Sequence, residues 1–408
     1  MNKKPNVLLI ATLDTKAEES LFIRRYLEEA GIQVHHLDTS IRSIVGAAEI
    51  GPQEVAAAAG QTLEEVRALK HEGKCQAVMI QGALKCAQRL HQEVGLNAII
   101  GLGGSMGTTL STIVMRSFPY GLPKVMISTM ASGMTKPFVG AKDIIMVNPV
   151  CDISGLNSIT REAFLNGAIS TAAMAHHDLS TTEDRSSGDQ KPLVAVSTLG
   201  TTDKCCVRVR DSLTKHGYEV MVFHTLGTGG EAMDAIIKER DVAAVVDLSL
   251  IEVSEHLHGG ICAAGPDRCK AALQKGVPTI FAPGNLDFMV SGPIDVAKAH
   301  FPNRRYHIHN AALTAVRAEA EEFKNDAEHM AGLIKDAKGP VSFFVPLQGF
   351  SHHDSEEGYL HDPSLPPVFA QHLKENLPPE TNLREFDLHI NDAEFADALV
   401  EQVIAYTR

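Results

Sequence analysis

The sequence predicts an α/β protein made of two tandem Rossmann-like, doubly wound parallel-sheet subdomains that share one plan. Three observations predict this class. Short apolar runs alternate with segments of helical spacing along the chain. The apolar runs are nearly continuous rather than alternating, which is typical of strands buried on both faces of a parallel sheet. The opening segment of the chain also recurs in outline near its middle.

The composition fits packed domains and argues against several classes of function. The chain has 408 residues, of which 44% are hydrophobic and 21% charged, enough for two domains of roughly 100–200 residues each. The formal net charge of −13 gives a surface that repels phosphate backbones, so we expect no nucleic-acid partner. The first apolar run, Val7–Leu13, is short and is interpreted as the first strand rather than as the apolar core of a signal peptide, and no run approaches the roughly 18 apolar residues of a membrane span. We therefore expect a cytoplasmic protein without a membrane partner.

The first half alternates strand-like and helix-like segments. A strand over Val7–Ala11 precedes a helix over Ala17–Ala30, and Gly31 supplies the helix stop. The other apolar runs are predicted to be buried strands: Ile32–Leu37, Ala77–Ile80, Ala98–Gly101, Lys124–Ser128 and Ile144–Val147. A long helix over Ser158–His177 closes this half. Because strands and helices alternate, we expect right-handed crossovers and helices on both faces of the sheet.

A linker is predicted at residues 179–191, which are dense in Ser, Thr, Asp and Gly. It separates a first subdomain, residues 1–178, from a second, residues 192–408. The second subdomain restarts like the first: the segment from Leu193 parallels the segment from Val7. The segment from Ala243 likewise parallels that from Asn97, and the segment from Val277 parallels that from Leu122. The matching segments occur in the same order in both halves, which predicts an apparent duplication. Chance similarity between generic α/β units is the alternative.

Ligands of open α/β sheets bind beyond the carboxyl ends of the strands, next to helix N-termini. The loop after the first strand carries Asp14, Thr15 and Lys16. Asp14 or Thr15 is expected to cap the following helix, whose free N–H groups can hold an anion, and Lys16 adds a positive charge. A plain helix cap with a solvated lysine is the alternative interpretation.

A glycine-rich loop follows the strand over Ala98–Gly101. Its four glycines allow backbone amides to approach a ligand closely. It lacks the GK[ST] of a Walker loop and the third glycine of GxGxxG, so we predict a phosphate loop of its own type. The predicted contacts are Gly101, Gly103, Gly104, Ser105, Gly107, Thr108 and Thr109. A merely tight turn is the alternative.

Two further loops complete the predicted site. Ser132 and Gly133 follow the strand over Lys124–Ser128, and Asp152 precedes the long helix. Asp152 is a candidate for holding a ribose hydroxyl or Mg²⁺, and capping by Asn157 or Ser158 is the competing role for its loop. Together the four loops predict a phosphorylated ligand, in particular a nucleotide.

The second half has a different chemistry, because imidazoles and carboxylates fall near its predicted strand ends. The candidate catalytic residues are Glu231, Asp247, Glu252, His307 and His309. His with carboxylate is a common set for general acid–base catalysis or for a divalent metal, but no HExxH is present, so the metal ligands stay unknown. Buried polar groups that satisfy one another, or an interface network, would explain the same residues.

The cysteines predict no disulfide framework or zinc site. There are seven of them, with no CxxC pair, which is typical of buried thiols in a reducing compartment. Cys205 and Cys206 stand at a helix start, where the dipole can activate a thiol, but a buried structural pair is the preferred interpretation.

Several motifs together resemble a known family. They are TLDTK, GLGGSMGTTL, STMASGMTKPFVGAKDI, VCDISGLNSI, VFHTLGTGGEAMD, HIHN and HINDAEFADALV. From Val7 to the C-terminus the chain resembles the amino-terminal part of the plant tobamovirus-resistance family and its bacterial relatives. The resemblance implies two Rossmann-like subdomains, a homodimer and ATP binding in the first subdomain, with contacts from Asp14, Thr15, Lys16 and the loop over residues 101–109. Antiviral activity depends on a viral partner and is not implied.

These observations predict an ATP-binding protein whose phosphates lie on the glycine-rich loop, with Lys16 and Mg²⁺ offsetting their charge. An ATP- and Mg²⁺-dependent enzyme acting on a small carboxylate or sugar-derived metabolite is one form of this hypothesis. A metal-dependent enzyme that uses the second-half cluster without nucleotide, with another divalent metal, is an alternative. A nucleotide-sensing scaffold without turnover is another.

Overall fold

A computed structural model describes residues 4–133, 135–177 and 191–408. The chain divides into two compact units, Met1–Ser186 and Ser187–Arg408. The predicted linker, residues 179–191, lies outside the described residues except for Lys191. In each unit a parallel sheet is covered by helices on both faces, so the predicted α/β class is confirmed.

The described residues of the first unit form five strands and seven helices. In chain order these are β1 (Asn6–Ala11), α1 (Leu13–Glu29), β2 (Gln33–Asp38), α2 (Pro52–Ala58), α3 (Leu63–Ala68), α4 (Glu72–Val94), β3 (Ala98–Gly103), α5 (Ser105–Arg116), β4 (Lys124–Ser128), α6 (Lys136–Val139), β5 (Ile144–Val147) and α7 (Ser158–His176).

The sheet of the first unit is parallel throughout, with the order β2-β1-β3-β4-β5. One face packs against α1 and α7, where Ile23 and Phe164 are fully buried. The other face packs against α2 to α5, where Val55 and Met79 are fully buried. Because both faces are covered, the strands of this sheet need the near-continuous apolar runs from which they were predicted.

One predicted strand is wrong. Ala77–Ile80 lies inside α4, a helix of 23 residues. The buried residues of α4 include Met79, Ala83, Cys86 and Leu90, which recur at helical spacing. An apolar run of four residues fits one turn of a buried helix as well as a short strand, so the run by itself did not distinguish them.

The described residues of the second unit form nine strands and eight helices. In chain order these are β6 (Leu193–Thr198), α8 (Asp203–Lys215), β7 (Glu219–His224), α9 (Gly229–Glu239), β8 (Ala244–Ser249), α10 (Ile251–His258), α11 (Lys270–Lys275), β9 (Thr279–Gly284), β10 (Phe288–Ser291), α12 (Ile294–His300), β11 (Tyr306–Ile308), β12 (Thr314–Arg317), α13 (Ala320–Ile334), β13 (Val341–Pro346), α14 (Leu365–Asn376), β14 (Asn382–Phe386) and α15 (Ala393–Thr407).

The main sheet of the second unit has the order β14-β13-β9-β8-β6-β7 and is also parallel. One face packs against α8 and α15, and the other against α9, α11, α13 and α14. A smaller antiparallel sheet, β10-β12-β11, is inserted between β9 and β13.

The two main sheets share one strand order. If the strands of each sheet are numbered as they occur in the chain, the first reads 2-1-3-4-5 and the second 2-1-3-4-5-6. The segments paired by sequence fall at equivalent places: Val7 and Leu193 open the first strands, and the other pairs give β3 with β8 and β4 with β9. The prediction of tandem Rossmann-like subdomains of one plan is therefore confirmed.

The cysteines behave as predicted. None of the seven is in a disulfide, and six are buried; Cys151 is half-buried. Burial raises the pKa of Cys206 to about 11 and that of Cys205 still further, so neither is an activated thiol. Over the part of the chain that the structure describes, no helix is long and apolar enough to cross a membrane.

Candidate functional site

A cavity of about 640 Å³ lies where β1, β2 and β3 end in the first unit. Between β1 and β3 the strand order reverses direction, and the crevice at such a switch point is where open α/β sheets bind ligands. Residues from the loops after the three strands and from the connection between α3 and α4 line it: Thr12, Asp14, Thr15, Lys16, Thr39, Ile41, Arg42, Arg67, Lys70, His71, Glu72, Cys75, Gly103, Gly104, Ser105, Met106 and Gly107.

The cavity gathers seven of the thirteen residues predicted to contact a nucleotide. They are Asp14, Thr15, Lys16, Gly103, Gly104, Ser105 and Gly107. The other six lie elsewhere in the unit: Gly101, Thr108, Thr109, Ser132, Gly133 and Asp152.

The N-terminus of α5 forms one wall of the cavity. Gly104 is its N-cap residue and no side chain caps the helix, so the first-turn amides of Ser105, Met106 and Gly107 have no acceptor within their own helix. These amides and the helix dipole make the wall a natural place for an anion.

The glycines of this loop have different reasons to be glycine. A Cβ on Gly103 would stand 2.7 Å from the Cα of Gly107, so only glycine lets β3 and α5 approach so closely. A Cβ on Gly104 would meet nothing nearer than the Thr129 hydroxyl at 3.9 Å. Gly104 is therefore free to carry a side chain, and its glycine leaves the amide wall uncovered.

Gly101, Thr108 and Thr109 serve packing. A Cβ on Gly101 would lie 2.7 Å from the Met126 sulfur, inside the core. The Thr108 hydroxyl is buried and lies 2.6 Å from the Ser128 hydroxyl. The Thr109 hydroxyl donates to the Ser105 carbonyl at 2.9 Å, within its own helix.

The loops that carry Ser132, Gly133 and Asp152 lie outside the cavity lining. Ser132 ends a short 3₁₀ turn after β4, and Gly133 follows it. Asp152 is exposed, and its backbone carbonyl accepts a hydrogen bond from the Ser154 amide at 3.0 Å. Asn157 caps α7, which is the competing role considered for this loop.

The loop after β1 differs from the expected helix cap. α1 begins at Leu13 and neither Asp14 nor Thr15 caps it. Asp14 lies in the first turn, where its carboxylate accepts hydrogen bonds from the Ile41 and Arg42 amides at 3.2 and 2.9 Å. Asp14 therefore ties the loop after β2 to the start of α1. The expected cap is absent for Asp14 because its carboxylate accepts from amides of the loop after β2 instead of from amides of its own helix.

A buried carboxylate that the sequence analysis missed holds the same corner. Asp38, the last residue of β2, accepts hydrogen bonds from the Leu13 amide at 3.0 Å and the Ser40 amide at 2.9 Å. Burial raises the pKa of Asp38. Its position at a strand end next to the switch point was the available signal.

The cavity is more basic than the chain that contains it. Four Lys and Arg side chains (Lys16, Arg42, Arg67 and Lys70) line it, against two carboxylates (Asp14 and Glu72), in a chain with 50 acidic and 37 basic side chains. Arg42 pairs with Glu72 at 3.5 Å, and both are largely exposed. Such a lining attracts an anionic ligand to a protein that otherwise repels one.

Two of the three carboxylates predicted to be catalytic in the second unit, Asp247 and Glu252, are engaged in a buried ion-pair cluster. The Arg268 guanidinium donates two hydrogen bonds of 2.7 Å to Asp247 and one of 2.9 Å to Glu252. All three side chains are almost fully buried. A carboxylate fixed in this way is a structural partner rather than a free base.

Glu252 also covers the N-terminus of α9. Its carboxylate accepts hydrogen bonds from the Gly227 and Gly230 amides at 2.7 and 3.2 Å. A Cβ on Gly230 would overlap Glu252 and Arg268. The amides at the N-terminus of α9 therefore bind the carboxylate of Glu252. The first-turn amides of α5 in the first unit, in contrast, have no such side chain capping them.

Glu231 stands apart from Asp247 and Glu252. It lines a smaller cavity of about 350 Å³ beside α9, and its carboxylate accepts a hydrogen bond from the Gly265 amide at 3.3 Å. Asp234 lines the same cavity, and burial raises its pKa to about 6.

The two predicted catalytic histidines lie on and just after β11. The His307 ring stacks on Tyr359 at 5.0 Å between centroids and lies 4.7 Å from the His353 ring. Burial, with the nearby imidazoles of His307, His352 and His309, lowers the pKa of His353 to about 4. An imidazole with so low a pKa is a poor general base near neutral pH. Among the described residues no group of three His, Cys, Asp or Glu is placed to hold a metal ion.

Fold and cavity together define a two-unit Rossmann-like protein with a cavity at the switch point of its first sheet. The chain belongs to the UPF0261 family: residues 5–180 match the model of the "Uncharacterised protein family (UPF0261) N-terminal domain" and residues 191–407 that of the C-terminal domain.

Relatives extend over almost the whole chain. A UPF0261 protein of Clostridium tetani is 35% identical over 99% of both chains. The ToMV resistance protein Tm-1 of Solanum lycopersicum is 30% identical over 99% of this chain but only 56% of its own length. The resemblance found from the motifs is thereby confirmed. A Streptomyces glycosyltransferase structure covers 98% of this chain and 96% of its own at 12% identity, but its TM-score of 0.21 is too low to support an argument.

Proposed function

We propose that the first unit binds ATP in the cavity at its switch point, with the phosphates at the N-terminus of α5. The observation that carries this proposal is the uncapped first turn of α5, open to a basic cavity. A volume of about 640 Å³ suits a nucleotide, since ligand cavities typically span about 300–1,000 Å³.

The charges of the lining support an anionic rather than a neutral ligand. Lys16 lines the cavity and has no ion-pair partner among the described residues. Cations left without a carboxylate in a cavity can pair with phosphate oxygens, and such charge-assisted hydrogen bonds are the strong ones.

Mg²⁺ fits the donors of this site. Mg²⁺ is usually held by one or two carboxylates together with substrate phosphates and water. Asp14 supplies a carboxylate on the cavity wall, and Thr12 and Thr15, whose hydroxyls lie 3.0 Å from each other, line the same cavity. The ion would neutralise phosphate charge, while the chain itself binds and orients the nucleotide.

The test is calorimetry with ATP and Mg²⁺ on the wild type and on Gly104→Asp. Both Asp and Ala fit at Gly104, because a Cβ there meets only Thr129 at 3.9 Å. An aspartate at this N-cap position would cap its own helix, so the variant is expected to fold, but its carboxylate would occupy the anion site. We expect a loss of at least about 100-fold in affinity, the size of losing hydrogen bonds to a charged group.

Gly104→Ala is the matched control, since it adds bulk without charge and should keep ATP affinity. If Gly104→Asp binds ATP as well as Gly104→Ala does, the phosphates do not lie at α5 and the proposal fails.

A further inference from the structure

The wall opposite α5 carries a second group of positive charges. Arg42 follows β2, and Arg67 and Lys70 come from the end of α3 and its connection to α4. In the sheet, β1 lies between β2 and β3. Neighbouring strands are about 4.8 Å apart, so the ends of β2 and β3 are separated by about 10 Å.

Arg67 is held in place with most of its donors to spare. Its Nε donates to the Ile41 carbonyl at 2.6 Å, which fixes the plane of the guanidinium next to the cavity. Within the described residues this is the one hydrogen bond of its side chain, so its four terminal N–H groups are available to a ligand.

Lys70 has an unusual backbone for a lysine. Its φ of +49° lies in the left-handed region, which favours glycine, yet it lines the cavity and is exposed. Residues held in such conformations cost free energy and cluster at ligand-binding positions. The connection between α3 and α4 therefore keeps a strained lysine where a smaller residue would be easier to accommodate.

The N-terminus of α4 adds to the same wall. This helix of 23 residues begins at Glu72, and His71, Glu72 and Cys75 of its start line the cavity. Its dipole places partial positive charge beside Lys70. The His71 ring accepts a hydrogen bond from the Lys74 amide at 3.4 Å, and the Glu72 carboxylate of the first turn pairs with Arg42. The α5 wall and the α4 wall are thus two separate electropositive faces of one cavity.

We propose that Arg67 and Lys70, with Arg42 beside them, form a second anion subsite for a phosphate or carboxylate group distinct from the 5′-phosphates at α5. This inference rests on the proposed function, because it takes the α5 wall as the place of the nucleotide phosphates. The second anionic group belongs either to the ribose of the same nucleotide or to a separate small anionic substrate.

Calorimetry with AMP as the reference separates these sources. If the ribose carries the group, adenosine 2′,5′- or 3′,5′-bisphosphate should bind at least about tenfold tighter than AMP, the gain of one charge-assisted hydrogen bond. If a separate molecule carries it, inorganic phosphate should bind to AMP-saturated protein. In either case Arg67→Gln and Lys70→Gln should abolish the gain and leave AMP affinity unchanged. Lys74→Gln, which removes an exposed charge of α4 outside the cavity lining, should change neither.

Three outcomes would overturn the proposal. In the first, neither the bisphosphates nor inorganic phosphate show the gain. In the second, Arg67→Gln weakens binding progressively from AMP to ADP to ATP, which would mean that one 5′-phosphate chain reaches both walls. In both cases the wild type still binds ATP and Gly104→Asp does not, so the proposed function stands. In the third, the wild type binds no nucleotide, and both proposals fail together.

Discussion

The ammonium of Lys16 donates a hydrogen bond to the backbone carbonyl of Ile153, although Lys16 also lines the cavity. The backbone of Lys16, with φ −133° and ψ 29°, departs from helical values and kinks the first turn of α1. One turn on, the Glu19 carboxylate accepts a hydrogen bond from the Gly155 amide at 2.7 Å. The start of α1 therefore holds residues 153–155 with the same lysine that a phosphate in the cavity would attract.

Cys151 can report on this contact, because it is half-buried and stands two residues before Ile153, whereas the other six thiols are buried. Lys16→Met removes the hydrogen bond to Ile153, and we expect the labelling rate of Cys151 to rise about threefold or more, the size of one hydrogen bond. Reaction with a thiol reagent, localised by mass spectrometry, measures this rate. Lys74→Met, at an exposed lysine outside the cavity lining, is the control. Equal rates in the wild type and Lys16→Met would show that the contact does not restrain the loop.

Gly103 and Gly104 are expected to tolerate alanine very differently. In Gly103→Ala the new Cβ would meet the Gly107 backbone at 2.7 Å, which cannot move aside without shifting α5, so we expect a loss of about 1–3 kcal/mol in unfolding free energy. Gly104→Ala meets open space and has a compatible φ of −76°, so its change should stay within about 1 kcal/mol. Urea denaturation followed by far-UV circular dichroism compares the two. Similar losses of unfolding free energy in the two variants would contradict the conclusion that Gly103 is closely packed and Gly104 is not.

Arg268 should be far more important for stability than an exposed arginine. Arg268→Met leaves Asp247 and Glu252 buried without their partner, and we expect a loss of about 3–5 kcal/mol. Arg208→Met breaks a pair with Asp397 whose side chains are 48% and 45% exposed, and should cost about 1 kcal/mol or less. Denaturation of both variants under identical conditions makes the comparison. A small loss in Arg268→Met would reopen a catalytic role for the two carboxylates.

Features of the fold that depend on local sequence pattern or on strand order were predictable from the sequence. The strand over Lys124–Ser128 was found at its observed bounds, because a sheet covered on both faces imposes a continuous apolar run on it. The strand over Ile144–Val147 was also found at its bounds, but the prediction that it is buried is wrong, because it is an edge strand and none of its four residues is buried. Lys16 and the 103–107 segment were placed near one another by a rule that depends only on strand order.

The misses come from tertiary partners. Arg67 and Lys70 reach the cavity from the α3–α4 connection, and no sequence period reveals where such a connection packs. For Asp247 and Glu252 the partner Arg268 was missed, because it lies in a segment without regular periodicity; their catalytic role stays a prediction. The sequence thus indicated which residues could be catalytic or bind a ligand, but it did not indicate which residues they contact in the fold.

His36 gives a pH test of the first unit. It is fully buried on β2, and neither ring nitrogen has a hydrogen-bond partner among the residues that the structure describes. Burial, with a smaller contribution from Arg24, lowers its pKa from 6.5 to about 4. The unfolded chain therefore binds a proton more readily than the folded one, so the contribution of neutral His36 is present above about pH 6.5 and is lost as the pH falls toward 4. A shift of this size corresponds to about 3 kcal/mol.

His36→Leu should remove that dependence. Leucine fills the site without an unpaired nitrogen, so we expect the variant to be more stable at pH 7 by about 1–2 kcal/mol, the cost of a buried polar group without a partner. It should also lose less stability than the wild type between pH 6.5 and 4. Urea denaturation at several pH values measures both effects, and His177→Leu, at an exposed histidine after α7, serves as the control. If the stability of His36→Leu depends on pH as steeply as that of the wild type, another group causes the dependence. A buried imidazole that stays neutral takes up a proton when the chain unfolds, so its replacement by leucine must change the pH dependence of stability.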